Sequence, residues 1–306
     1  MAVTRSPLLD PAVLAQVGSY EVGTRLAEGS LTGHHRSPLR GSSIEFAEHK
    51  EYSPGDEIKH IDWKAYGKFD KYYVKQYEEE TNLRVYFLVD GSASMGYHSG
   101  ELSKLDYAAR ITATLSYLLL RQQDGVGLCL FREKVGTYVP PRATSTHLVH
   151  VLAALEGARA EGKTGLATAL RFVSELARRR SLIVVLSDLF DADPAVPDLL
   201  RQLRSRQHEV VIFHLLDHDE LGFPFEELTL FESMEDDARL LVDPPAVRGQ
   251  YVAELRRFIE GYEHHARESG LEYRTVDTQT PLTKTLLDFL ERRQRLARVS
   301  GRRRAR

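Results

Sequence analysis

Two aspartates and three hydroxyls are the residues of this chain whose types and spacing could do chemistry. Asp90, Ser92 and Ser94 stand at alternate positions in Asp90-Gly-Ser92-Ala-Ser94, directly after the apolar run Arg84-Val-Tyr-Phe-Leu-Val. Asp188 ends a second apolar run, Ser181-Leu-Ile-Val-Val-Leu-Ser187. Between them, Thr164 lies in the polar loop Glu161-Gly-Lys-Thr164-Gly165, with Thr168 four residues on as an alternative hydroxyl. Carboxylates and hydroxyls are hard oxygen donors, the set that suits Mg²⁺, which keeps several of its own waters. Mn²⁺ and Ca²⁺ take the same kind of donor. The bland alternative is that these side chains only cap turns at strand ends.

Those residues must be positioned by strands and helices, and the patterning supplies them. Arg84–Asp90 is rich in β-branched and aromatic residues and reads as a strand buried on both faces. Ser103 followed by Asp106 has the spacing of a capping box, so a helix is predicted from about Lys104 to Gln122, with Leu105, Ala108, Ile111, Leu115, Leu118 and Leu119 at its 3.6-residue period. Strands are predicted at Val126–Phe131, Lys134–Val139 (stopping at Pro140-Pro141), Ser181–Ser187, Glu209–Asp217 and Leu271–Val276. Helices are predicted over about Thr146–Gly157, Leu166–Arg179, Pro194–Arg206, Val247–Ser269 and Pro281–Leu290. Apolar strands alternating with helices define an α/β fold, an open, mostly parallel, doubly wound sheet with an N-terminal extension. In such folds ligands sit beyond the carboxyl ends of the strands, which brings Asp90, Ser92, Ser94 and Asp188 to one exposed crest. Thr164 precedes the helix that feeds the strand of Asp188, so its hydroxyl can reach the same crest.

The 306 residues divide into an extension over 1–80, a main domain over 81–292 and an arginine-rich tail over 293–306, expected to be disordered. A formal net charge of -3 gives no global field favouring nucleic acid, and a specific nucleic-acid partner is not expected. No apolar segment reaches the roughly 18–20 residues of a membrane span, and the N-terminus lacks the pattern of a signal peptide. The expected location is the cytoplasm. The single Cys129 sits in a predicted strand and reads as a small buried hydrophobe. His34 and His35 are adjacent but have no companion cysteines or paired carboxylates to complete a zinc site.

Two further segments stand out. In Tyr52-Ser-Pro54-Gly55-Asp56 and Ile61-Asp62-Trp63-Lys64, Pro54-Gly55 sets a tight turn, while Ile58, Ile61 and Trp63 are apolar anchors among dense charges. A solvated turn tied by ion pairs and a recognition surface both fit; on the second, Pro54, Gly55, Asp56, Asp62 and Trp63 are candidate partner-binding residues. The acidic stretch Asp219–Asp237 carries Phe223, Phe225 and Phe231 and is another candidate contact surface.

Asp90-x-Ser92-x-Ser94, then Thr164, then Asp188 resembles the metal-ion-dependent adhesion site of von Willebrand factor type A domains. The resemblance implies that Ser92, Ser94 and Thr164 ligate a metal through their hydroxyls. It also implies that Asp90 and Asp188 act largely through waters, and that an open position takes a carboxylate from a partner. The Pro54-Gly55-Asp56…Ile61-Asp62-Trp63 pattern, together with Tyr73-Val-Lys75-Gln76-Tyr77-Glu78, is similar to the hallmark of the family catalogued as domain of unknown function 58. Lys50 and Lys59 stand where arginine is common in that pattern. Members of that family resemble type A domains and are commonly encoded beside MoxR-type AAA+ ATPases, and many carry N-terminal membrane helices. The implied role is a non-enzymatic, metal-dependent adaptor that binds such an ATPase or a client protein during assembly or maturation. The competing reading is a Mg²⁺-dependent phosphohydrolase with Asp90 as nucleophile and Asp188 on the metal.

Overall fold

The computed structural model describes residues 6–23, 45–51, 73–78, 83–191 and 193–304. Pro54, Gly55, Asp56, Asp62 and Trp63, with His34 and His35, lie outside them.

The centre is a six-stranded sheet. Its strands are β3 (Arg84–Asp90), β4 (Gly125–Phe131), β5 (Val135–Arg142), β6 (Ser181–Ser187), β7 (Glu209–Leu216) and β10 (Glu272–Asp277). They lie in the order β10-β7-β6-β3-β4-β5. Every neighbouring pair is parallel except β4 with β5. The doubly wound, mostly parallel sheet expected from the apolar runs is therefore the fold observed. β3, β6 and β7 are buried almost throughout, as covered parallel strands must be. Successive side chains of β3 enter opposite layers. Val85, Phe87 and Val89 pack with helices α2 (Lys104–Arg121), α3 (His147–Glu156) and α8 (Leu282–Arg304). Tyr86 and Leu88 pack with α4 (Leu166–Leu176) and α5 (Val196–Ser205), against which α7 (Pro244–Ser269) sets Phe258 and Tyr262.

The chain enters β3 and reverses its winding there, so β6 lies on the other side of β3 from β4. The carboxyl ends of β3 and β6 thus flank the switch point, where a doubly wound sheet opens a crevice. Asp90 is the last residue of β3, and Asp188 follows the last residue of β6.

Several boundaries differ from the sequence reading. β5 does not stop at Pro140 but runs to Arg142. It is an edge strand, where a proline's missing N–H costs no ladder bond on the open side. The N-terminal stretch is not wholly an extension: α1 (Pro11–Val17) starts at the Asp10 cap and buries Val13 and Val17 in the same core as β3 and α2. The tail boundary at 293 also moves. Arg293 is 2% exposed, and its guanidinium meets Glu209 at 2.8 Å and Glu272 at 3.2 Å. Its Nε donates to the Gly23 carbonyl at 2.6 Å, and α8 continues to Arg304.

A separate antiparallel pair joins β1 (Glu45–Glu51) to β2 (Tyr73–Glu78). After β7, a short helix α6 (His218–Gly222) leads to the hairpin β8 (Thr229–Glu232) and β9 (Arg239–Val242). Phe223, Phe225 and Phe231 do not form a free surface. Their rings pack on one another at 5.2–5.5 Å, and Phe223 lies 4.5 Å from Tyr251 of α7, which fixes the base of the hairpin. The hairpin exposes Leu228, Leu230, Leu240 and Leu241 instead. Among the described residues, no helix is long and apolar enough to cross a membrane.

Candidate functional site

Asp90 is the hub of the crevice. Its Oδ1 accepts the Ser92 backbone N–H at 2.9 Å. Its Oδ2 accepts two hydroxyls, Thr164 at 2.9 Å and Ser187 at 2.7 Å. Loop 161–165 is stitched to the end of β3 by backbone bonds from Ala93 to Gly162 and from Glu161 to Gly91, and these place Thr164. Gly165 is needed beside it, because a Cβ there would lie 2.5 Å from the Glu133 carbonyl oxygen. Of the two threonines that the sequence offers, Thr164 is therefore the one brought to Asp90, and Thr168 is exposed on α4. Ser92 caps a single 3₁₀ turn, Ala93–Gly96, and its Oγ lies 3.1 Å from that of Ser94.

The expectation of an exposed crest is corrected: Asp90, Ser92 and Asp188 are fully buried, while Ser94 and Thr164 are half-buried. Each lies at the root of a loop that folds back over the strand end. Burial, and then the neighbouring Asp188 carboxylate, push the Asp90 carboxyl up to about 6, against the lowering effect of hydrogen bonds from Ser187 and Ser92.

Asp188 is held by a residue that the sequence reading did not assign. Lys104 Nζ lies 2.8 Å from Asp188 Oδ2 and 2.6 Å from Glu220 Oε1. Burial alone would push the Lys104 ammonium down, but the two carboxylates outweigh it and hold it above its ordinary value. Glu220 is itself fixed, its Oε2 accepting the Asp217 N–H at 2.7 Å. Ser187 was missed as well, although it directly precedes Asp188. The spacing of Lys104 from Ala108, Ile111 and Leu115 is helical and would have put it on the buried face.

The donor set fits a hard divalent cation. Two cis ligands of an octahedral ion with bonds of about 2.0–2.1 Å are separated by about 3.0 Å, which the two serine hydroxyls match. Thr164 gives its proton to Asp90, which leaves its lone pairs free for a cation. Ser92, Ser94 and Thr164 would be the direct ligands, with Asp90 supplying charge from behind. Asp188, tied to Lys104, would act at longer range. Among the described residues no group of three or more His, Cys, Asp or Glu side chains is arranged to hold a metal, so a cation here depends on hydroxyls.

The architecture and this crevice define the class: a doubly wound α/β domain with a hydroxyl-and-carboxylate cluster at the switch point. The chain belongs to the family described as "Protein of unknown function DUF58", whose model matches residues 48–259. It is 24% identical over 274 residues to the uncharacterized protein Rv1480 of Mycobacterium tuberculosis, covering 85% of each chain. To the uncharacterized protein YeaD of Bacillus subtilis it is 23% identical over 134 residues, 44% of this chain and 31% of that one. Among solved structures it is similar to a conserved hypothetical protein, BatB, of Bacteroides thetaiotaomicron. That match has a TM-score of 0.46 and 13% identity, and covers 70% of this chain and 100% of the other.

Proposed function

We propose that this protein is a non-enzymatic, cation-dependent adaptor that binds an acidic residue of a protein partner at the β3–β6 crevice. The partner we infer is a MoxR-type AAA+ ATPase, acting with the adaptor in the cytoplasm on the assembly or maturation of a client. The observation that carries this reading is the pair of serine hydroxyls, 3.1 Å apart in front of a carboxylate whose own oxygens are already satisfied. Neutral ligands leave a bound Mg²⁺ electrophilic, so a carboxylate from outside completes its shell through a strong charge-assisted contact. The β8–β9 hairpin exposes Leu228, Leu230, Leu240 and Leu241, which would add apolar contact with a partner.

The phosphohydrolase reading is weaker. A nucleophilic aspartate needs an accessible oxygen aimed at phosphorus. Asp90 is 0% exposed, and three donors occupy its two oxygens.

The test is Mn²⁺ titration of the protein, followed by capture of a purified MoxR-type ATPase in Mg²⁺ and in chelator. Wild type should bind one Mn²⁺ per chain and retain the ATPase only with the metal. Ser92→Ala should lose both. Capture undiminished in chelator would sink the proposal.

A further inference from the structure

We propose that Glu235, at the tip of the β8–β9 hairpin, is the chain's own ligand for the crevice cation, filling in cis the position offered to an acidic partner. The inference rests on the cation reading above and adds a residue and a regulation to it. A cleft of about 310 Å³ lies between the crest and the hairpin tip, lined by Ser94 and Glu220 on one side and by Met234 and Glu235 on the other. The tip is seated on the crest: a Cβ at Gly96 would lie 3.6 Å from Met234 Cε.

Within that cleft the carboxylates differ in what they touch. Glu220 is taken by Lys104 and the Asp217 N–H. Asp236 turns back to accept the Ala238 N–H at 3.1 Å. Glu235 Oε1 is buried and has no hydrogen-bond partner among the described residues. A carboxylate oxygen withdrawn from water without a donor is costly, and native folds rarely leave one so. A cation coordinated by Ser92 and Ser94 is the counterpart that removes that cost. The turn around Glu235 is braced from within, the Ser233 Oγ accepting the N–H groups of Glu235 and Asp236 at 3.3 and 3.2 Å. Glu235 is thereby presented on a preformed tip, while the phenylalanine cluster holds the hairpin base on α7. An incoming acidic residue must displace Glu235, so the hairpin sets a threshold for partner binding.

The experiment titrates the full chain with Mn²⁺ and follows amide hydrogen exchange at residues 233–238. Wild type is expected to bind Mn²⁺ and to slow tip exchange about tenfold. Glu235→Gln should bind about tenfold more weakly and lose that protection, whereas Asp237→Asn, which removes an exposed charge from the same tip, should stay within about twofold of wild type. If Glu235→Gln matches wild type in affinity and protection while Ser92→Ala abolishes binding, the inference fails and the crevice reading survives. An equal loss in Asp237→Asn also overturns it, by showing a diffuse field rather than a ligand. If wild type binds no Mn²⁺, the crevice reading fails and the inference goes with it.

Discussion

The Lys104 ammonium lies 2.8 Å from Asp188 Oδ2, and neither side chain is exposed to solvent. The pair ties the first turn of α2 to the carboxyl end of β6 across the switch point, and through Glu220 it reaches the insertion that carries the hairpin. One carboxylate of the crevice is therefore neutralised by the protein itself. The other, Asp90, carries the charge that a divalent ion would meet.

Removing the ammonium should be costly. Lys104→Met leaves the Asp188 carboxylate dry and unpaired, and breaking one side of a buried pair costs about 3–5 kcal/mol. For a domain of this size each kcal/mol corresponds to roughly 2–4 °C, so thermal unfolding should fall by about 6–20 °C. Lys104→Met with Asp188→Asn should recover part of the loss, because the stranded charge is gone. A single variant that melts with wild type would mean the pair is solvated in solution.

The fold was legible where burial alone decides structure. The runs ending at Asp90 and Asp188 are apolar from Val85 to Val89 and from Leu182 to Leu186 because covered strands have no polar face, and their ends located the crevice. Topology put Thr164 within reach of the crevice, because the loop before α4 lies at the carboxyl ends of the strands, but it left Thr168 as an alternative. Lys104 was legible only as a position: its spacing from Ala108, Ile111 and Leu115 puts it on the buried face, but the carboxylates of Glu220 and Asp188 that make a buried lysine tolerable come from distant segments. Of the β8–β9 hairpin, Arg239–Val242 reads from sequence as a short strand and is β9, whereas its partner β8 escaped. A four-residue strand is too short to show a period, and its inward ring, Phe231, packs on phenylalanines from outside the strands. Pro140 looked like a strand terminator because sequence does not reveal which strand lies at an edge.

Cys129 should be inert in the folded protein. Burial pushes its thiol up to about 12, so almost no thiolate exists at neutral pH. Iodoacetamide should label it only after denaturation, and the labelling rate in mild denaturant should track global unfolding. Rapid labelling of the native protein would show that β4 opens locally.

Stability should fall as the solution is acidified below about pH 6.5, the ordinary histidine value. His147 is held below that value, chiefly by burial and then by His150 and Arg142, despite its ring contact with the Val126 carbonyl at 2.8 Å. His208 is lowered by burial and by Arg206. For both, the unfolded chain takes up the proton more readily, so stability rises with pH through the window below 6.5 and is lost as pH falls through the folded values. His147→Gln, which can still donate to Val126, combined with His208→Gln should reduce that slope in denaturant titrations at pH 5 and 7, leaving the part due to His214, whose buried ring is lowered to about 4. An unchanged slope would place the acid sensitivity elsewhere.

Thr164 is the sharpest test of which residues form the crevice. Its Oγ sits 2.9 Å from Asp90 Oδ2, and donating there leaves its lone pairs free for a cation. Thr164→Ser preserves both functions and should bind Mn²⁺ within about twofold of wild type. Thr164→Ala removes the proposed ligand oxygen and one of the donors to Asp90. A single hydrogen bond contributes about 1 kcal/mol, so the fold should survive with a small drop in melting temperature. Affinity for Mn²⁺ should fall about tenfold or more, because the ion loses a direct oxygen and the charge behind it loses its alignment. Thr168→Ala, four residues along and exposed on α4, should change neither quantity. Should Thr168→Ala weaken Mn²⁺ binding while Thr164→Ala does not, the cation would be held by a different arrangement of loop 161–165 from the one hydrogen-bonded to Asp90.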